Sequence, residues 1–342
     1  MVFSAKELNL ILQEGEGYRI EFKERVSNLD REMVAFANSS GGRIFIGVSD
    51  KGDVVGINLT NELKSQVQDI ANNCDPPVKI LLHPFNNILI VEVRESIDKP
   101  CKCASGFYNR IGPNAQKMSR NDIVEFLKSE GKIRFDELVN SNFKISDLDL
   151  EKFKTFLAES KISAILPLQQ ILKNLALCEF DGSDYLYNNT ATLFFAKNLS
   201  FHYYHTAITC AIYKGNEKAT ILDRKDFNFD LISNINEAML YVRQHLKVSY
   251  QFDGSIQRHE VPETPFEAIR EALVNAVVQR DYFQKGANVM VEIFDDRFDI
   301  TSPGGLPKGL LEEEFGTKSL LRNPNLANLF LRCGFIEKWA QA

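Results

Sequence analysis

At 342 residues, with 44% apolar and 25% charged side chains, the chain has the composition of an ordinary folded protein and the length for two or three domains. No apolar run approaches the roughly 18 residues of a spanning helix, and six cysteines without a leader segment point to a reducing compartment, so the expected location is cytoplasmic. A formal net charge of −6 argues against a generally basic nucleic-acid binder, yet residues 1–135 carry 18 Lys and Arg against 18 Asp and Glu, and all the excess acid lies beyond them.

Ser4 with Glu7 has capping-box spacing and opens a helix to about Gln13, ended by glycines at 15 and 17. Tyr18 to Lys23 then reads as a strand, with Tyr18, Ile20 and Phe22 facing a core and Arg19, Glu21 and Lys23 sharing the other face. Ser27 is placed to cap a helix that carries Leu29, Met33, Val34 and Phe36 on one side and stops at Ser39 to Gly42. Arg43 to Val48 is the next strand; it enters the turn Asp50, Lys51, Gly52, Asp53, from which Val54 to Ile57 returns as its hairpin partner. Asp50 would thereby converge with Glu16 and Glu21. Three carboxylates with Lys23 are the donor set of a hard cation held against a phosphate. The same residues also make a solvated strand face beside a turn, and spacing alone does not choose between the two.

A helix from Leu63 to Cys74 opened by Thr60, a hairpin of Val78–His83 and Ile88–Arg94, a short strand Phe107–Ile111 and a helix Ile123–Lys128 begun by Ser119 and Asp122 complete a compact α+β domain ending near Phe135. Residues 136–246 are less patterned: helical spacing at Leu148–Leu157 and Ile171–Leu177, β-rich stretches at Thr192–Ala196 and Ile208–Tyr213, a polar loop at Asn216–Phe229 and an amphipathic helix at Ile232–Leu246. Pro265 then introduces a helix, Phe266–Val278, that puts Glu271 and Asn275 on one face; strands Asn288–Phe294 and Phe298–Thr301 and the turn Ser302–Pro307 follow. That helix pair and turn suit either an exposed surface or a ligand site. Cys74, His83, Cys101 and Cys103 invite a zinc reading, but their spacing lacks paired Cys-x2-Cys knuckles, and cysteines near strands are usually core. His202 and His205 sit in an aromatic run that reads as packing.

The runs RIEFKE, AFANSSGG, RIFIGVSDKG and GFYNRIGPN, in that order, together resemble the Schlafen AlbA-like domain. That resemblance implies a nucleic-acid binder, in some relatives a metal-dependent endoribonuclease acting on tRNA and rRNA. It places the family's acidic triad on Glu16, Glu21 and Asp50 as catalytic residues and ligands of Mg²⁺ or Mn²⁺, with Lys23 beside them. Arg19, Arg110, Lys117 and Arg120 are the matching candidates for phosphate contacts, which position nucleic acid without reading sequence.

Further on, EAIREALVNAVVQRDY, FDDRFDITSPGGLP, RNPNLANLF and GFIEKW resemble a divergent GHKL-type ATP-binding module found after this domain in proteins grouped with transcriptional regulators and helicases. The resemblance implies that Glu271 activates water, Asn275 holds Mg²⁺, and Gly304 and Gly305 lie near the nucleotide. Gln279 stands where relatives often carry histidine, no aspartate-glycine adenine box or glycine-rich lid is recognisable, and relatives continue past the position of Ala342, so ATP binding is expected and hydrolysis is not. The fold expected is α+β: a Schlafen AlbA-like domain over 1–135, a mixed α/β connecting region over 136–246, and a C-terminal α/β sandwich of divergent GHKL type over 247–342. The function expected is metal-dependent endoribonuclease action on structured RNA such as tRNA; the alternative is an ATP-responsive, non-catalytic DNA-binding regulator. The partners expected are nucleic acid, RNA before DNA, and no membrane, with self-association left open.

Overall fold

The computed structural model describes residues 5–246, 248–251, 259–262, 264–307, 309–310, 312–314, 317 and 320–336. Ser4, the expected first cap, and Trp339 lie outside them. The chain divides into two compact units, Met1–Lys132 and Ile133–Ala342.

In the first unit α1 (Ala5–Glu14) is followed by β1 (Ile20–Lys23), α2 (Leu29–Asn38) and β2 (Gly42–Ile46), with β1 and β2 parallel and α2 as their crossover. After α3 (Asn61–Asn72) the hairpin β3 (Ile80–Phe85) and β4 (Ile88–Val93) joins antiparallel to β2, giving a sheet of order β1-β2-β4-β3. Strand alternation sorts its side chains. Ile44 and Ile46 of β2 with Leu89, Val91 and Val93 of β4 pack beneath Met33, Val34 and Phe36 of α2 and Val67 and Ala71 of α3. Phe22, Phe45, Ile88 and Ile90 face the other way, onto Leu8 and Ile11 of α1. A second sheet, β5 (Lys102–Cys103), β6 (Gly106–Ile111) and β7 (Asn114–Lys117), packs on α2 and leads to α4 (Arg120–Ser129), whose Ser119–Asp122 capping box forms as the sequence predicts.

Three local readings are corrected. Ser27 does not cap α2; Asn28 does, with φ of 51° and no side-chain bond. Val54 to Ile57 forms no strand, only an isolated bridge between Val48 and Val54. Tyr18 lies outside the core, before the strand begins. The glycines after α2 are sterically required: a Cβ on Gly42 would sit 2.3 Å from the Phe36 ring.

Buried Asn38 ties the end of α2 to the second sheet. Its amide donates to the carbonyls of Cys101 (2.9 Å) and Tyr108 (2.8 Å), and its oxygen accepts the Cys101 N–H at 2.7 Å. Asn38→Ala would leave three buried backbone groups unpaired, a cost of about 2–4 kcal/mol. The check is a lower urea midpoint at unchanged slope.

In the second unit, a 3-10 turn at Phe135–Glu137 precedes α5 (Leu150–Glu159), α6 (Leu168–Asn174), the hairpin β8 (Cys178–Phe180) and β9 (Tyr185–Tyr187), α7 (Asn189–Phe195) and α8 (Leu199–His202). Next come β10 (Ile208–Tyr213), β11 (Ile221–Phe227) and α9 (Leu231–His245), the pair β12 (Val248–Gln251) and β13 (His259–Pro262), α10 (Phe266–Val278), β14 (Val289–Ile293), β15 (Phe298–Thr301) and α11 (Pro324–Arg332). The sheet runs β11-β10-β14-β15, with β10 and β14 parallel. One apolar cluster extends from Phe135 to Phe330, so the segments 136–246 and 247–342, which the sequence separates, share a core. Thr192–Ala196 lies largely in a helix rather than a strand, and the polar stretch Asn216–Phe229 contains β11.

Candidate nucleic-acid site and ATPase-like module

Strand β1 does put Glu21 and Lys23 on one side, but that side is roofed by α2 rather than bathed in water. Glu21 Oε2 accepts from Arg110 Nη2 at 2.7 Å, and Lys23 Nζ donates to Glu21 Oε1. Arg110 Nη1 donates to Glu32 Oε2 of α2 at 2.9 Å, and Lys23 Nζ stands 3.6 Å from the other Glu32 oxygen. The Arg110 guanidinium lies 4.5 Å from the centre of the Phe36 ring, and its side chain is 0% exposed. Two carboxylates and two cations thus form a closed, neutral quartet, the form in which buried charges are tolerable.

Electrostatics follow from this geometry. Burial and the Glu21 charge raise the Glu32 carboxyl above the ordinary range, against the pull of Lys23 and Arg110. For Lys23, burial works to lower the ammonium, but the hydrogen bond to Glu21 and the charges of Glu21 and Glu32 outweigh it and hold it above its usual value. Glu16 Oε1 accepts the Phe22 N–H at 2.9 Å. Its carboxyl is nevertheless raised, first by burial and then by the charges of Glu21 and Asp50, so the three acids share one field. Asp50 is exposed on the turn after β2.

In this arrangement a divalent ion would have to displace a cation from Glu21. Both Glu21 oxygens are held by cations, and among the described residues no three His, Cys, Asp or Glu side chains stand where they would hold a metal. Cys74, Cys101 and Cys103 lie in the apolar core, and His83 pairs with Glu92 at 3.0 Å. Burial pushes the Cys74 thiol up to about 12.

Of the basic candidates, Arg19, Lys117 and Arg120 are exposed. Arg110 is corrected: it is a buried strut and cannot lie against a phosphate in this arrangement. Sequence reasoning missed Glu32. The available signal was a carboxylate one turn before Phe36 on a helix whose neighbouring positions, Leu29, Met33 and Phe36, are all buried.

In the second unit Glu271 is exposed and Asn275 half-buried, one turn apart on α10. The glycine turn is drawn to the end of that helix: Ser302 Oγ donates to the Ala276 carbonyl at 2.6 Å, and the Asp281 N–H to the Pro303 carbonyl at 2.9 Å. Gly304 has φ of 108°, and a Cβ there would lie 2.7 Å from the Asp281 Cβ. Gln279 is a bracket. Its side-chain oxygen accepts the Arg322 N–H at 2.8 Å and its carbonyl accepts Arg322 Nη1 at 3.0 Å, while Arg322 Nη2 reaches the Gly305 carbonyl. Asn323 Nδ2 donates to the carbonyls of Val278 (2.7 Å) and Arg280 (2.9 Å).

Asp136, wholly buried, closes the far end: one oxygen accepts the N–H groups of Asn325 (2.8 Å) and Leu326 (3.2 Å) at the start of α11. Its other oxygen has no hydrogen-bond partner, and burial raises the carboxyl to about 6 despite those two donors. Among the described residues no helix is long and apolar enough to cross a membrane.

A parallel β-α-β core with a charge-locked strand, followed by a separate α/β unit, matches two families in the same order. Residues 16–119 match the family described as "Schlafen, AlbA_2", and residues 286–341 match "Putative ATP-dependent DNA helicase recG C-terminal". The chain therefore carries a Schlafen AlbA_2 domain at its N-terminus and an ATPase-like module at its C-terminus. No curated protein matches it. Among solved structures it is similar to the DIP2311 protein from Corynebacterium diphtheriae, at 18% identity and a TM-score of 0.49 over 97% of this chain and 72% of that one.

Proposed function

We propose that the protein binds the phosphate backbone of nucleic acid, RNA before DNA, through its AlbA_2 unit, with the second unit as an ATP-binding regulatory module. The observation that carries this reading is the sorting of charge inside the matched segment. The interior cations Lys23 and Arg110 are neutralised by Glu21 and Glu32, whereas Arg19, Lys117 and Arg120 stay on the surface, where phosphate contacts are made. Glu271 and Asn275 offer the carboxylate and amide appropriate to a nucleotide's metal and water.

A second reading, a divalent-metal-dependent endoribonuclease acting on structured RNA such as tRNA, is favoured by the shared field of Glu16, Glu21 and Asp50. It requires Glu21 to exchange a cation it now holds. One experiment treats both readings. Binding to total tRNA is measured against salt for the wild type and for the variant Arg19→Ala/Lys117→Ala/Arg120→Ala, with the same samples incubated with Mn²⁺. The expected result is a log–log salt slope shallower by about 2–3 in the variant. An unchanged slope removes these residues from the interface. Cleavage that appears with Mn²⁺ and vanishes in Glu16→Gln establishes the second reading.

A further inference from the structure

We infer that Tyr18 and Arg19 form a receptor for an unpaired nucleotide, the tyrosine ring stacking on the base and the guanidinium meeting its phosphate. This rests on the nucleic-acid reading above and adds to it a class of substrate: single-stranded or looped nucleic acid. The two residues occupy the tip of a turn closed by backbone bonds in both directions, Gly17 N–H to Ile20 carbonyl at 3.0 Å and Ile20 N–H to Gly17 carbonyl at 3.4 Å. Arg110 clamps that turn from inside, Nη2 reaching the Gly17 carbonyl at 2.9 Å and the Ile20 carbonyl at 3.1 Å. Because the guanidinium is itself locked by Glu21 and Glu32, the tip is fixed to the rigid quartet.

Tyr18 is 45% exposed, and it is the one aromatic among the exposed large apolar side chains of the described residues of this unit. Among the described residues neither the Tyr18 side chain nor the Arg19 guanidinium has a hydrogen bond, ion pair or ring partner. A free aromatic face beside a free arginine is the pairing that binds unstacked bases, which every sequence offers and a duplex hides. The rigid turn lowers the ordering cost of binding.

The test uses the full chain with a labelled oligouridine and a blunt RNA duplex of equal length, titrated at several salt concentrations. Tyr18→Ala is expected to weaken oligouridine binding by about tenfold or more, to leave the duplex unaffected, and to keep the salt slope. Tyr18→Phe, which retains the stacking face, is expected to bind as the wild type does. Arg19→Ala is expected to weaken both ligands and to lower the slope by about 0.7 to 0.9. Equal binding of oligouridine by Tyr18→Ala and wild type, or an equal loss on the duplex, overturns the stacking site while leaving the nucleic-acid reading intact. A wild type with no salt-dependent binding to either ligand overturns both. Unchanged melting of the variants separates these outcomes from misfolding.

Discussion

Arg110→Met is expected to cost the N-terminal unit about 3–5 kcal/mol, the range for removing one partner of a buried charge set. The substitution keeps most of the volume against Phe36 but strands Glu21 and Glu32 beneath α2, with Lys23 alone to neutralise them. It also releases the Gly17 and Ile20 carbonyls, so the turn bearing Tyr18 and Arg19 loosens. Urea unfolding of residues 1–132 in the full chain, followed by hydrogen exchange at β1, reads both effects. The combined variant Arg110→Met/Glu32→Gln should recover a large part of the loss, because Glu21 and Lys23 then remain as a neutral pair. A cost below about 1 kcal/mol for Arg110→Met alone, as at exposed ion pairs, would show that the quartet is not desolvated.

Asp136→Asn is expected to change the pH dependence of the second unit more than its stability at any one pH. Burial lifts the folded carboxyl to about 6 from an ordinary 3.8, so the folded state takes up a proton more readily than the unfolded chain. The stabilisation linked to that proton is fully present below about pH 4 and is lost as pH rises through about 6. Relative to Asp136→Asn, which does not titrate, the wild type should therefore lose on the order of 1–3 kcal/mol between about pH 4 and pH 7. Paired urea titrations across that interval check the sign. A stability difference that grows with rising pH would mean that the N–H groups of Asn325 and Leu326, not burial, dominate at this carboxylate.

How much was legible in the sequence depended on whether the deciding interaction was local. Helix α10 was readable to its ends because Pro265 precedes it and its apolar positions keep helical spacing; α4 was readable from Ser119 and Asp122. Helix α7 was not, because all seven of its residues are buried, so no polar face betrays the period, and its β-branched and aromatic residues mimic a strand. Strand β11 failed for the opposite reason. As the sheet's outer strand it exposes Ile221 through Asp226, and its charges read as loop. At the site, RIEFKE disclosed Glu21 and Lys23, yet their environment is set by Arg110, which lies 89 residues further on from Glu21, and by Glu32 of the crossover helix. Hence the face that spacing left open between a cation site and a solvated surface is interior, and an arginine expected on phosphate is a strut. Gln279, which departs from the histidine expected there, reads as a loss from sequence and in the fold supports Arg322 and the glycine turn.

The parallel pairing of β10 with β14 bears on how such a protein can be recombined. Ile208 to Ile212 align with Val289 to Ile293 across a chain interval that contains residue 246, and Phe135 and Asp136 are already buried at the entrance to the same core. A chimera that grafts a relative's ATPase-like module at 246 would cut one sheet between two donors and mismatch its central strands. A graft at 132 and 133 carries the whole sheet, its entry turn and the Asp136 anchor together, so exchange between relatives is expected to succeed there and to give insoluble protein at 246.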